Sequence, residues 1–259
     1  SGDTTLYPGS VGSLNIPSSA NRPCGRHGNN FLAGSSGEIW VVGGTAVAGN
    51  GPGIDDLWKY NPATDEWTWV SGTGTINQPP IYDLQSSPSP LNSPGSRFRA
   101  LGWSDNSGNL WIYGGNDQYD GNTGGYFTDL WKFDITASQW VWIAKYLVAG
   151  DTPSYGTMGV ASPTNHPGAR SGSATWTDNA GNLWLFGGEK IHSCCNNYYG
   201  DLWKYNISTN MWTWVSGSST TNALPSYGTL QIATASNTPG ARRCSIYCKD
   251  TNGDFLLLG

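Results

Sequence analysis

Short apolar runs that end in a pair of glycines recur along the chain, and the first of them is Gly37-Glu-Ile-Trp-Val-Val-Gly-Gly44. Each complete run is followed by a segment in which polar and apolar residues alternate, beginning with Asp56-Leu-Trp-Lys-Tyr-Asn61, and then by a Trp-x-Trp pair. Alternation is typical of a strand with one buried face, and a short apolar run between turn residues is typical of a buried strand. The pattern predicts a chain of short β-strands.

These stretches repeat with a constant spacing. The glycine-closed run returns at 108–115, at 181–188 and, shortened, at 253–259. The alternating segment returns at 129–134 and 201–206, and the Trp-x-Trp pairs are at 67–69, 140–142 and 212–214. An arginine stands upstream of each run, at Arg26, Arg97, Arg170 and Arg242, and these arginines lie 71, 73 and 72 residues apart. The chain is therefore an array of units of about 72 residues.

Each unit is predicted to contain four antiparallel strands. In the third unit they are Ser171–Thr177, the run before its glycine pair, the alternating segment at 201–206, and Trp212–Val215. A hairpin turn at Asp178–Gly181 joins the first two strands. Alternation places the two aromatic residues of the third strand on one face of the sheet.

A glycine pair closing the second strand, an aromatic residue in the third and a tryptophan in the fourth together resemble the kelch repeat. The resemblance covers three full units and half of a fourth. It implies an all-β, kelch-type β-propeller of four-stranded antiparallel blades, with three complete blades and half of a fourth within this chain. The family is known for propellers of six or seven blades, so we expect this chain to be a segment of a longer one. The alternative is a subunit whose open blade is completed by a neighbour.

On this resemblance, residues 1–259 are expected to form one propeller segment, with blade units at about 22–70, 94–143, 167–215 and 239–259. A kelch unit usually has about 50 residues. The additional residues form three inserts between blades: the first insert at 72–93, the second at 144–166 and the third at 217–238. Loops of this length are commonly functional or disordered.

Aromatic residues offer one set of candidate binding positions. All 14 tryptophans fall at repeat positions, where packing between blades explains them. A sugar-binding platform would need aromatic residues outside the repeat, and the inserts supply four tyrosines: Tyr82, Tyr146, Tyr155 and Tyr227.

The repeated arginines are the second candidate set. In kelch proteins the arginine at this position often lines the rim of the central channel, so the resemblance makes Arg26, Arg97, Arg170 and Arg242 candidates for binding carboxylate or phosphate groups. The alternative is architectural, because the equally periodic Asp56, Asp129 and Asp201 are available as partners.

Five cysteines, at 24, 194, 195, 244 and 248, are an odd set. Cys194 or Cys195 is predicted to bridge to Cys244 and so to join the third blade to the fourth. Cys24 is a candidate for a bridge to a further blade. Cys248 occupies the position that holds a tryptophan in the second and third units, which predicts a buried thiol. The spacing lacks paired Cys-x-x-Cys arms, so no metal site is predicted.

Charge excludes several classes of function. The chain carries 13 basic and 18 acidic residues without a basic stretch, which argues against nucleic acid as a partner. No apolar run approaches the roughly 20 residues that span a bilayer, so no membrane insertion is predicted.

No catalytic motif is recognisable, and no cofactor is predicted. Galactose oxidase, an enzyme of the kelch type, uses two histidines and two tyrosines to bind copper. The three histidines of this chain fall in three different units, and none is adjacent to a tyrosine.

The sequence therefore predicts a non-catalytic, extracellular module that recognises a protein or glycan through loops at the face of the propeller. A glycosylation sequon at Asn206-Ile-Ser208 fits a secreted protein. One alternative is a structural subunit of an extracellular filament or coat, with self-assembly as its partner interaction. The other is part of a secreted carbohydrate-active or oxidase enzyme whose site lies elsewhere.

Overall fold

The computed structural model describes residues 9–46, 52–117, 125–146, 152–191 and 196–259. The chain divides into two compact units, Ser1–Lys145 and Tyr146–Gly259. Regular structure within the described residues consists of β-strands. Those residues include no helix of the length and apolarity required to cross a membrane. The predicted all-β organisation is confirmed.

The first unit contains two four-stranded antiparallel sheets, and in both of them strands adjacent in sequence are adjacent in the sheet. Blade 1 consists of β1 (Asn30–Ala33), β2 (Ile39–Val42), β3 (Leu57–Asn61) and β4 (Glu66–Ser71). Blade 2 consists of β5 (Leu101–Ser104), β6 (Leu110–Tyr113), β7 (Asp129–Asp134) and β8 (Gln139–Lys145).

The second unit contains one sheet of the same kind and two smaller ones. Blade 3 consists of β9 (Ala174–Thr177), β10 (Leu183–Phe186), β13 (Gly200–Asn206) and β14 (Met211–Ser218). A two-stranded hairpin, β11 (Glu189–Ile191) and β12 (Asn196–Tyr198), lies between the second and third strands of that blade. The fourth sheet has two strands, β15 (Ile246–Lys249) and β16 (Phe255–Leu258).

The first strand of blade 3 is shorter than the sequence predicts. It was expected to begin at Ser171, but it begins at Ala174, and Ser171 forms only an isolated bridge to Glu189. Gly172 between them has a φ of 64°, which interrupts the extended backbone. Ser171, which follows the repeated arginine, therefore pairs with Glu189 beyond the glycine pair and not with the main sheet.

The glycine pair is required by a close contact between neighbouring blades. Gly43 and Gly44 have φ values of 59° and 102°, a region that favours glycine. The amide of Gly44 donates to the carbonyl of Arg97 at 2.9 Å. A Cβ atom on Gly43 would lie 2.7 Å from that same oxygen. In the second unit, Gly187 and Gly188 approach the carbonyl of Arg242 in the same way.

Aromatic side chains fill the space between neighbouring blades. In the first unit Trp40 of β2 packs against Phe133 of β7, with 6.0 Å between ring centroids. In the second unit Trp176 of β9 stacks on Phe255 of β16 at 5.0 Å and 10°. Since each blade presents apolar residues to its neighbour, the core of each unit lies between the sheets and not within one of them.

The inserts cover the edge strand of the blade that follows them. In the second insert, the amides of Gly159 and Ser162 donate to the carbonyls of Trp214 and Trp212 on β14, at 2.8 and 3.3 Å. Ser86 of the first insert donates to the carbonyl of Trp142 on β8 in the same manner, at 2.9 Å. Residues 9–22 cover β4, where Asn15 donates to Trp69 at 2.8 Å. An uncovered edge strand is a template for unwanted pairing, and residues 9–22, the first insert and the second insert each remove such an edge.

A buried asparagine fixes each of the three edge-covering segments in place. Asn165 donates one amide hydrogen bond to the carbonyl of Val160 in its own insert (2.9 Å) and one to the carbonyl of Trp212 on the blade (3.2 Å). Asn21 and Asn92 make the equivalent bonds to Trp67 and Trp140. In the third insert, Asn237 keeps only the bond within the insert, to Ile232 at 3.0 Å, and its side chain is exposed.

We predict that Asn165→Ala lowers the free energy of unfolding by about 1–3 kcal/mol, because it removes two bonds of a buried amide. Urea denaturation followed by tryptophan fluorescence measures this loss. The matched control is Asn237→Ala, which removes only solvent-exposed bonds within the third insert and should cost less than about 1 kcal/mol. Equal losses in the two variants would contradict an edge-covering role for the second insert.

Candidate recognition face

A buried arginine–aspartate pair underlies the loop end of each complete blade. Arg97 contacts Asp129 through two hydrogen bonds of 2.9 and 3.1 Å, and Arg170 contacts Asp201 at 2.7 and 2.9 Å. Both pairs are almost fully buried. In blade 1, Arg26 and Asp56 form the same pair at 2.5 and 2.9 Å. Parallel two-point contact between guanidinium and carboxylate is the strongest geometry available to these groups.

Each pair also forms hydrogen bonds with backbone segments that are distant in sequence. The guanidinium of Arg170 donates to the carbonyl of Gly187 at 2.9 Å and to the carbonyl of Pro167 three residues before it. The carboxylate of Asp201 accepts a further bond from the indole of Trp203 at 2.8 Å and one from the hydroxyl of Tyr155 at 2.9 Å. The pair therefore joins the second strand, the third strand and the insert.

The charges of the pair stabilise one another in the interior. Burial alone would raise the pKa of Asp129, but the charge and hydrogen bonds of Arg97 lower it below its usual value. Burial alone would lower the pKa of Arg170, but Asp201 raises it. Both groups are thus held in their charged forms, as a buried ion pair requires.

This geometry supports the architectural alternative for the arginines of the three complete blades. The guanidiniums of Arg97 and Arg170 are buried and already bonded to carboxylates, so they do not present a charge to solvent. Arg26 is paired in the same way. Arg242 differs, because no carboxylate within the described residues lies at ion-pair distance from it. Ligand binding by these arginines stays a prediction.

The tyrosines of the inserts are placed differently from one another. The ring of Tyr82 stacks on Trp131 at 5.2 Å and meets Trp142 edge-on at 5.4 Å. Its hydroxyl donates to Asp129 at 2.8 Å. Tyr155 repeats this arrangement on blade 3, with Trp203 at 5.3 Å. Burial, aided by the neighbouring aspartate, raises the pKa of Tyr82 and of Tyr155. These two residues hold the inserts to the blades.

Tyr146 and Tyr227 are the other two tyrosines of the inserts. Tyr146 stacks on buried His166 with 4.8 Å between ring centroids, and burial raises the pKa of the tyrosine to about 12. Burial also lowers the pKa of His166 to about 4, and its Nδ1 accepts a hydrogen bond from the amide of Gly168 at 3.2 Å. Tyr227, in contrast, is 80% exposed. Sugar binding by these four tyrosines stays a prediction, and only Tyr227 presents its ring openly.

Above the ion pairs, the loops between second and third strands meet the residues that follow each arginine. His27 bridges to Thr45, and Phe98 bridges to Asn116, so each loop is extended by a short ladder at the end of its blade. The ring of His27 lies 5.5 Å from that of Phe98. The guanidinium of Arg99 lies 4.8 Å from the centroid of the Phe98 ring. These three side chains form a cluster at the loop end of the first unit.

The second unit carries a different cluster at the corresponding positions. Arg243 follows Arg242 and forms an ion pair with Glu189 of β11. The guanidinium of Arg243 also lies 5.5 Å from the ring centroid of Tyr198 on β12. We call the first-unit cluster of His27, Phe98 and Arg99, together with its loops, the recognition face. Glu189, Tyr198 and Arg243 form a separate cluster in the second unit.

Sequence reasoning did not find these residues, because they are the non-repeating positions beside a repeated one. The residue after the arginine is His27, Phe98, Ser171 or Arg243, whereas the arginine itself never changes. That contrast was present in the sequence alignment of the units and is the signal that marks the face.

The cysteines are partly described. Cys24, Cys244 and Cys248 have free thiols in this structure. Cys194 and Cys195 lie outside the described residues, so a bridge from either of them to Cys244 stays a prediction. The expectation of a buried thiol at Cys248 is wrong, since Cys248 is exposed. Its counterpart Trp176 is buried beneath the fourth sheet, whereas no further described sheet covers β15.

The remaining candidate sites are the glycosylation sequon and groups of metal-binding side chains. The sequon residue Asn206 is the last residue of β13, and its Oδ1 accepts a bond from the amide of Thr209 in the following turn at 3.0 Å. Glycosylation there stays a prediction. Within the described residues, no group of three or more histidine, cysteine, aspartate or glutamate side chains is arranged to hold a metal ion.

Comparison with known families agrees with this architecture. The model of the kelch motif matches residues 32–71, which span blade 1 from within β1 to the end of β4. Blades 2 and 3 repeat its strand order and its ion pair. An all-β fold of four-stranded antiparallel sheets is consistent with kelch blades.

Among solved structures, the chain is similar to one titled "Structure of YjhT", with 13% sequence identity and a TM-score of 0.46. The alignment covers 83% of this chain and 53% of that one, so the chain spans about half the length of that protein. A search of curated protein sequences finds no match.

We predict that Asp129→Asn lowers the free energy of unfolding by about 3–5 kcal/mol, because it leaves the buried charge of Arg97 without a counter-charge. Urea denaturation measures the loss. The control is Asp134→Asn at the other end of the same strand, whose partner Lys132 is partly exposed at 23%. That pair should contribute at most about 1 kcal/mol. A small loss for Asp129→Asn would favour a binding role for the arginines instead.

Proposed function

We propose that this chain is a non-catalytic, extracellular module that binds a protein partner through the recognition face. A kelch propeller domain fits a protein-binding module. The observation that supports this surface is the contrast within the repeat. The repeated arginine is the same in every unit, whereas the side chain that follows it changes from His27 to Phe98 to Ser171 to Arg243.

The chemistry of the face suits a protein ligand. Aromatic residues and arginine are enriched at the centres of protein interfaces, where they contribute most of the binding energy. His27, Phe98 and Arg99 bring these types together on adjacent blades of the first unit. The aromatic rings of His27 and Phe98 favour a peptide segment that carries an apolar side chain.

Rigid support is the second argument. The backbone of Arg99 has a φ of 51°, and its amide donates to the carbonyl of Gly28 at 2.7 Å. The Phe98 ring lies directly over Gly28, where a Cβ atom would come within 2.2 Å of it. A side chain held in this way loses little conformational freedom on binding, which favours affinity.

The proposal is tested by selecting binding peptides from a phage-displayed library on the purified protein. The variant His27→Ala/Phe98→Ala/Arg99→Gly should weaken the selected peptides by at least about tenfold, because it removes the anchors of the face. Glycine is used at 99 because it tolerates the positive φ there. Circular dichroism verifies that the variant is folded.

The matched control is Thr64→Ala/Thr136→Ala, in exposed turns between the third and fourth strands of blades 1 and 2. These turns lie at the opposite end of the strands from the recognition face, so the control should bind peptides like the unmodified protein. Peptides that bind the triple variant equally well would place the site elsewhere. Binding on a glycan array, with no peptide selected, would favour the glycan alternative.

An extracellular location is supported by the glycosylation sequon Asn206-Ile-Ser208. We predict that the protein is recovered from the medium of its source cells with carbohydrate at Asn206, as shown by a mass shift that enzymatic deglycosylation removes. Recovery only from the cell interior, without this shift, would contradict the proposal. Recovery of a second exported protein from the medium of the same cells serves as the control.

A further inference from the structure

His166 holds together the part of the second insert that covers blade 3. Its backbone forms two hydrogen bonds with that of Ser154, at 2.9 and 3.1 Å. Its imidazole stacks on Tyr146, with 4.8 Å between ring centroids and 18° between ring planes. Tyr146 and His166 lie close to the two ends of the insert in sequence, so the stack joins those ends. We call residues 154–166 the strap.

The strap is the segment that lies along β14. Gly159 and Ser162, whose amides donate to the carbonyls of Trp214 and Trp212, fall between the two residues that close it. Its apolar side chains contribute little burial, since Met158 and Val160 are each about half exposed. A segment with few buried apolar contacts opens locally at a lower free-energy cost than the strands beneath it. The contacts of His166 therefore matter for keeping the strap closed.

The imidazole of His166 is held in its neutral form by a hydrogen bond that it accepts. Its Nδ1 atom accepts from the amide of Gly168 at 3.2 Å, and the residue is 3% exposed. An imidazole nitrogen accepts only when it carries no proton. A proton added to Nδ1 would therefore break this bond and turn two N–H groups toward each other.

The charged and titratable groups around His166 also oppose its protonation. Burial, together with the positive charge of Arg170, lowers the pKa of His166 to about 4. The carboxylate of Asp201 is already bonded to Arg170 and to the hydroxyl of Tyr155. Tyr146 and Tyr155 supply no negative charge, because burial raises the pKa of both hydroxyls. A protonated His166 would thus be a second buried cation beside one that has taken the local carboxylate.

The first insert covers its blade without a titratable side chain at this position. Ser93 takes the place of His166 and pairs with Ile81 in the same antiparallel manner, at 2.8 and 3.0 Å. Ser86 donates to the carbonyl of Trp142 on β8, as the strap donates to β14. The two inserts therefore have the same cover over an edge strand, and only the second places a histidine where that cover is closed.

We propose that the strap is released by acid: protonation of His166 breaks its contacts with Tyr146 and Gly168 and frees residues 154–166 from the edge of β14. The open strap exposes the imidazole to water, where the ordinary histidine pKa is about 6.5. The open state therefore binds a proton more tightly than the closed state does. The strap is stable above about pH 6.5 and loses stability progressively as the pH falls toward about 4. Release leaves β14 with an unpaired strand edge.

The test is hydrogen–deuterium exchange of the whole protein, read by mass spectrometry at about pH 7 and about pH 5, where ordinary carboxyl groups keep their charge. Results are expressed as protection factors, which remove the direct effect of pH on the exchange reaction. Protection of peptides over residues 156–164 should fall by at least about tenfold at the lower pH, because proton binding favours the open strap. Peptides over β10 should keep their protection, since the blade itself stays folded.

The first insert is the internal control, and peptides over residues 84–92 should change by less than about threefold. His166→Ser gives the strap the residue that the first insert uses at this position. It should reduce the pH-dependent change in the strap to the same small value. His27→Ser removes a histidine from the other compact unit and should leave the exchange of the strap as it is in the unmodified protein.

Three results would overturn the proposal. The first is a strap that keeps its protection at the lower pH. The second is an equal loss of protection in both inserts or in β10, which would show a general effect of acid. The third is a His166→Ser strap that still loses protection by about tenfold. If that variant does not fold, the comparison between the two inserts of the unmodified protein still decides the question.

Discussion

A buried charge that must be fully satisfied is the constraint on which each blade depends. The guanidinium of Arg170 lies in the interior, where its charge would be unfavourable without Asp201 and where each N–H group needs an acceptor. The acceptors come from the glycine pair at the end of the second strand and from the proline turn before the arginine. The carboxylate of Asp201 accepts hydrogen bonds from the indole of Trp203 on the third strand and from the hydroxyl of Tyr155 in the insert. One ion pair thus sets the relative position of four segments that are distant in sequence, and it explains why these residues recur together.

The second constraint is the open edge of each sheet. A four-stranded blade leaves the backbone of its fourth strand unpaired, and the inserts supply the missing donors to that edge. This explains the length of the unit, because a hairpin turn alone would close the blade but would not reach the edge strand of the next one. The residues of the first and second inserts, whose composition is typical of functional loops, therefore have a largely structural role. Tyr82 and Tyr155, which were predicted as binding residues, contact tryptophans of the blades they cover.

The strands, their order and the ion pairs could be predicted from the sequence because they depend on local alternation and on residues repeated at fixed spacing. The role of the inserts could not be predicted from polarity, since their Ser, Thr, Pro and Asn content is typical of loops. Their signal was the spacing of Asn21, Asn92, Asn165 and Asn237, which lie 71, 73 and 72 residues apart, as the arginines do. The exposure of Cys248 was missed for another reason: burial at that position depends on a neighbouring sheet and not on the residue itself.

These constraints also determine where function can be located. Substitution of a residue that satisfies a buried charge or covers a strand edge lowers stability. Recognition must therefore use residues whose backbone is fixed by the ion pairs and inserts but whose side chains take no part in them. The residues after each arginine meet that condition, because their backbone is fixed by the ion pair and the adjoining loop while their side chains differ between units.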